Sequence, residues 1–132
     1  MYNYITRINI GSIQEIDLLL KILSLVKYRK MILDENLLTT FEQYLQNKNR
    51  KKDSVSRNLQ ALREFTKVLE IKNTDEISLV SIENYKTYLS QKKTPKTSIY
   101  YGKDEYLNIR TIAGKIQCIK NFLKFLNCIF DT

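Results

Sequence analysis

Residues 108–130 read NIRTIAGKIQCIKNFLKFLNCIF. Ile109, Ile112, Ile116, Ile119, Leu123, Leu126 and Phe130 recur every three or four positions, with Phe122 and Phe125 beside them. That period is helical, and Asn108 stands where an N-cap is expected. An apolar stripe of such length requires cover, which the preceding elements must supply.

Ser78 predicts the start of a short helix with Leu79, Ile82, Tyr85 and Leu89 inward. Between it and Asn108, residues 92–105 hold the only Pro, one Gly and the pair Tyr100 and Tyr101, which predicts a long loop or hairpin. Earlier still, Val55, Leu59, Leu62, Phe65 and Leu69 mark a helix that Asp53 or Ser54 can cap. Another is expected from Asp34 to about Lys48, with Leu37, Leu38, Phe41, Tyr44 and Leu45 on one face.

From Ser12 to about Met31, polar Gln14, Asp17, Lys21 and Ser24 alternate at helical spacing with Ile13, Ile16, Leu19, Leu20, Leu23 and Val26. This helix is apolar around most of its circumference. Ile13, Ile16, Leu20 and Leu23 are therefore expected to pack on the bundle or on a second copy, since a patch of that size is not left in water. Met1 to Ile10 alternates partly, as a short strand or extended arm does.

A length of 132 residues fits one domain, and 43% apolar with 27% charged residues is an ordinary globular balance. Three Gly and one Pro are too few for a turn-rich β-sandwich, so the class is all-α. Cys118 and Cys128 lie ten positions apart on one expected helix and there is no His, so neither a zinc site nor a disulfide framework is suggested and buried, reduced thiols are expected. The most apolar early stretch, Ile16 to Val26, is interrupted by Asp17 and Lys21 and is too short to span a bilayer. A cytoplasmic protein without metal, cofactor or small-molecule substrate is expected.

The formal charge is +8, from 22 Lys and Arg against 14 Asp and Glu. Such a balance favours a polyanionic partner through counterion release. The excess lies late: residues before Asn36 carry five basic and four acidic groups, those from Gln91 onward eight basic and three acidic.

Four stretches, in order, carry a resemblance to a known family. They are Leu38, Phe41, Tyr44 and Leu45; then Ser54, Leu62 and Phe65; then Ile77, Ser78, Ile82, Tyr85 and Leu89; and finally Leu107, Asn108, Thr111, Ile112, Ala113, Ile116, Ile119, Lys120, Phe122 and Phe125. Together they resemble the N-terminal core-binding domain of tyrosine recombinases, the phage-type integrases. The resemblance runs from Asp34 to Thr132 and implies a four-helix, SAM-like core-binding bundle over 34–132, with residues 1–33 as an N-terminal helical extension. Asn58 departs from the pattern, which usually has Tyr there, and the tyrosine-bearing loop is longer than the family's common length.

What the resemblance implies is a domain that grips double-stranded DNA at a recombination site, alongside other recombinase protomers. The family's catalysis uses a Tyr nucleophile supported by Arg, Lys and His on a following domain, so no catalytic residue carries over and this chain is not expected to be an enzyme. Candidate DNA contacts are Lys48, Arg50, Lys51, Lys52 and Arg57, the densest basic run, at the start of an expected helix where backbone N–H groups add to the charge. On the last helix, Arg110, Thr111, Gly114, Lys115, Gln117 and Asn121 avoid the Ile stripe; Arg, Gln and Asn can read base edges as well as phosphates. Gly114 costs about 1 kcal/mol relative to Ala, which suits close approach of DNA or another helix. In the long loop, Lys92, Lys93, Lys96 and Lys103 interleave with Tyr100 and Tyr101, a combination that can clamp phosphates and stack. The competing reading is a helical protein-interaction or dimerisation module whose positive charge is incidental.

Overall fold

Asp34, Ser78 and Asn108 each accept a hydrogen bond from a backbone N–H in the helix that follows: Leu37 N at 3.0 Å, Ser81 N at 3.2 Å and Arg110 N at 2.8 Å. The chain is seen in a computed structural model that describes residues 13–94, 96, 102 and 106–130. The described residues form an all-helical fold: α1 (Ile13–Tyr28), α2 (Glu35–Asn47), α3 (Lys52–Val68), a 3-10 turn (Thr74–Glu76), α4 (Leu79–Ser90) and α5 (Ile109–Phe130). The possible strand or arm at Met1 to Ile10 lies outside the described residues. Helix α3 starts earlier than Asp53 or Ser54 would set it. Lys51 is its N-cap, in extended conformation and with no side-chain cap bond.

Helix α5 is the centre of the bundle, packing most extensively on α3 and also on α1, α4 and α2. Its Ile112, Ile116, Ile119 and Phe122 share one core with Phe41, Leu62, Phe65, Ile82 and Tyr85. Aromatic rings interlock there: Phe41 meets Phe122 edge-on with centroids 5.2 Å apart, and Phe65 meets Tyr85 similarly at 5.3 Å. Such contacts add about 0.5–1.5 kcal/mol each to the area they bury.

The early helix joins this core through part of the expected surface, with Ile22 added and Leu20 left out; the side chain of Ile13 lies outside the described residues. Leu19, Ile22, Leu23 and Val26 are buried, whereas Leu20 and Leu18 are exposed and Ile16 is half-buried. A helix apolar on most of its surface has several possible inward faces, and contact with α5 selects one. Polar ties reinforce it. Glu15 pairs with Lys120 at 3.1 Å, and Arg29 donates to the carbonyl of Phe130. Behind α1, Met31 N and Leu33 N donate to Thr74 Oγ1 and Lys72 O, both at 2.8 Å, pinning this segment to the α3–α4 connection.

Candidate nucleic-acid interface

Helices α3 and α5 pack through Val55, Leu59 and Leu62 on one side and Ile112, Ile116 and Ile119 on the other. Beside this apolar seam, each helix carries a second stripe of small and polar residues. On α3 it comprises Ser54, Arg57, Asn58, Gln60 and Ala61; on α5 it comprises Arg110, Thr111, Gly114, Lys115, Gln117, Cys118 and Asn121. With Arg50 from the preceding turn, the two stripes line an open groove of about 630 Å³.

The turn into α3 sets Arg50 at the groove. Asn49 occupies the left-handed region at φ 57°, a conformation Asn tolerates better than most residues, and the chain reverses there between α2 and α3. Lys51 and Lys52 follow at the uncapped start of α3, and both are exposed.

Arg50, Arg57, Arg110, Thr111, Lys115 and Gln117, all sequence-predicted contacts, therefore meet in one place. Lys51 and Lys52 stand at the adjacent helix start without lining the groove. Lys48 is directed elsewhere, its Nζ lying 5.0 Å from the centroid of the Tyr44 ring. Lys103, Tyr100 and Tyr101 lie outside the described residues. The base of their loop is closed by an isolated antiparallel bridge between Lys93 and Tyr106, and Thr94 donates to the carbonyl of Tyr106 at 2.8 Å, so the loop is hairpin-like where it leaves the bundle.

Charge in the groove is only partly neutralised. Among the described residues the ion pairs involve Arg63, Lys86, Lys92, Lys115 and Lys120, and none takes Arg50, Arg57 or Arg110. Arg57 instead turns its Nε toward the carbonyl of Asp53 at 3.4 Å. Cys118 lines the groove with Lys115, Arg57 and Arg50, and burial pushes its thiol up against the opposing pull of these cations.

Lys115 is held by a carboxylate that the sequence did not single out. Glu64 accepts from Lys115 at 3.1 Å, from Tyr85 Oη at 2.7 Å and from Lys92 at the base of the long loop. Burial alone would raise its pKa, but the hydrogen bonds from Lys92, Tyr85 and Lys115 outweigh burial and hold it below its ordinary value. The same contact, after the larger effect of burial, drives the Tyr85 phenol far above its usual range. Glu64 thus ties α3, α4, α5 and the loop base together. The available signal was its place on the polar stripe of α3, three positions after Ala61.

Two sequence expectations need correction, and one of the two roles open to Gly114 is removed. Asn121 does not face outward: it is buried and donates from Nδ2 to the Oδ1 of Asn58, also buried, at 2.9 Å. Cys128 is exposed rather than buried, and Cys118 is half-buried; both are free thiols. Gly114 does not serve helix packing, because a Cβ built there would have no atom within 4 Å.

Among the described residues no cluster of three or more His, Cys, Asp or Glu could hold a metal ion. No helix among them is long and apolar enough to cross a membrane. Compared with protein-family models, curated proteins and solved structures, the chain matches none of them.

Proposed function

We propose that the chain is a duplex-DNA-binding module, acting as the DNA-gripping domain of a site-specific tyrosine recombinase or integrase. The observation that carries this reading is the α3–α5 groove, where Arg50, Arg57 and Arg110 stand without carboxylate partners among the described residues. Phosphates suit such a surface, because guanidinium groups bind them bidentately and their binding releases counterions.

Further support comes from the groove's other residues. Gln60, Gln117 and Thr111 supply hydrogen-bonding groups of the kind that read base edges. Gly114 leaves the α5 backbone bare on the groove side with no need in the protein's own packing, which suits close approach of a ligand. The uncapped first turn of α3 offers backbone N–H groups beside Lys51 and Lys52, a favourable place for a phosphate. The sequence resemblance supports the finer identity, and in this reading strand cleavage belongs to a catalytic unit outside these residues.

The test is titration of a labelled duplex at stepped salt. A log Kd rising linearly with log salt is the expected result. A second reading, a protein-interaction or dimerisation module, is favoured by Leu18 and Leu20, large apolar side chains of α1 left exposed on either side of its buried face. Absence of duplex binding even at low salt, together with self-association in the ultracentrifuge, would transfer the assignment to that module.

A further inference from the structure

Three carboxamides form a relay that begins on a backbone carbonyl and ends in the groove. Asn58 Nδ2 donates to the carbonyl of Ser54 at 2.7 Å. Asn121 Nδ2 donates to Asn58 Oδ1 at 2.9 Å, and Gln117 Nε2 donates to Asn121 Oδ1 at 3.1 Å. We infer that this relay fixes the orientation of Gln117 so that its remaining donor and acceptor read an adenine in bound DNA. The inference rests on the duplex-binding reading above and adds a specificity-determining residue, with two residues that position it.

The direction of the relay follows from chemistry. A backbone carbonyl only accepts, so Asn58 must turn its NH2 group toward Ser54 and its oxygen toward Asn121. Asn121 must then offer its NH2 group to Asn58, which leaves its oxygen for Gln117. Reversing any one amide sets donor against donor or acceptor against acceptor. Asn58 and Asn121 are only 3% and 8% exposed, so water is poorly placed to repair such a mismatch.

Gln117 is exposed and lines the groove. After donating to Asn121 it retains one N–H and its Oε1. In the major groove, adenine offers the N7 acceptor and the N6 donor, the complement of that pair, whereas guanine offers two acceptors, N7 and O6. Guanine would therefore set its O6 against Oε1. Gly114, one helical turn earlier on the same face as Arg110, Gln117 and Asn121, removes a side chain that would hold a base edge away from the helix. A Gln already tied at its amide end also loses less rotamer freedom on binding than a free one.

This assigns a purpose to Asn58, where the resembling pattern has Tyr: its carboxamide donates to the Ser54 carbonyl while accepting from Asn121. The competing explanation is that the relay merely fastens α3 to α5. Position-resolved specificity separates the two, because a fastening role does not depend on which base is bound.

The experiment starts with a duplex pool of randomised centre, selected on the intact chain at moderate salt. Kd values are then measured for the selected duplex, for versions with single A·T pairs changed to G·C, and for a scrambled duplex. One A·T position should cost the native protein roughly five- to hundredfold when changed. Gln117→Ala should lose that discrimination, its affinity for the selected duplex falling toward its affinity for the version with the A·T pair changed. The paired replacement Asn58→Leu with Asn121→Leu removes both buried amides together, so neither is left unmatched, and should reduce discrimination at the same position only. Gln117→Ala alters an exposed side chain, and it decides the base reading even if the paired variant does not fold. Retained discrimination in Gln117→Ala, or a selected site without such an A·T pair, overturns the inference while salt-dependent binding of scrambled duplex keeps the broader reading. Full discrimination in a folded paired variant overturns the positioning role, and absence of duplex binding overturns both readings.

Discussion

Replacing Glu64 by Gln should move stability and DNA affinity in opposite directions. The carboxylate is 17% exposed and takes Tyr85, Lys115 and Lys92, whose lysine side chains are 28% and 35% exposed. The substituted amide could still accept from Tyr85, so that bond becomes neutral instead of charge-assisted, a loss of about 1 kcal/mol. The two lysine contacts, discounted for solvent screening, add at most about 1 kcal/mol each. The expected destabilisation is therefore about 1–3 kcal/mol in urea melts at neutral pH.

Its pH dependence has a definite sign. Glu64 titrates below its ordinary value of 4.5 in the folded state, so its contribution is full above that value and is lost as pH falls toward the folded one. The gap between native protein and Glu64→Gln should accordingly close in acid. Releasing Lys115 meanwhile adds a free cation to the groove and should steepen the salt dependence of duplex binding by about 0.9 in the log–log slope. Equal stability at neutral pH, or a gap that stays constant into acid, would refute the assignment of Glu64 as the tie between these elements.

Other outcomes follow from the same geometry. Phe122→Ala empties a fully buried position against Phe41 and Phe125 and should cost about 3–5 kcal/mol by urea denaturation. Gly114→Ala meets no atom within 4 Å and should raise stability by up to about 1 kcal/mol while weakening duplex binding. Thiol reagents should label exposed Cys128 quickly and Cys118 slowly, because burial raises the Cys118 thiol and covers it; equal rates in the native protein would contradict the described packing.

Much of the fold was legible because it depends on local rules. The stripes of α2, α3, α4 and α5 follow the helical period, and Asp34, Ser78 and Asn108 satisfy backbone donors that any helix start exposes. The start of α3 was misread because Asp53 and Ser54 are good caps in general, yet the reversal through Asn49 brings the chain into helix before reaching them. The inward face of α1 was undetermined for a different reason: Leu18 and Leu20 are as apolar as Leu19 and Leu23, and only contact with α5 distinguishes them.

At the candidate site, the cations were recognisable by type and by their place on helix faces. Their convergence was not, since Arg50 and Arg110 meet only through the packing of α3 on α5. In sequence Asn58 is a departure from a pattern and Asn121 an outward-facing amide; only the fold, by closing sixty-three positions, lets each satisfy the other. Glu64 was hidden likewise, its partners lying twenty-one, twenty-eight and fifty-one positions away.

The central claim is that duplex DNA is held in the α3–α5 groove rather than by net charge alone. The direct measurement is the salt dependence of duplex binding, by fluorescence anisotropy, for the native protein, for Arg57→Ala with Arg110→Ala, and for Lys21→Ala with Lys30→Ala. Each pair removes two positive charges, and Lys21 and Lys30 are exposed residues on and just after α1. The groove pair should lower the log–log slope by about 2, at about 0.9 per lost phosphate contact, with the control pair leaving it near the native value. Equal reductions in both pairs, or a native slope retained by the groove pair, would contradict the account.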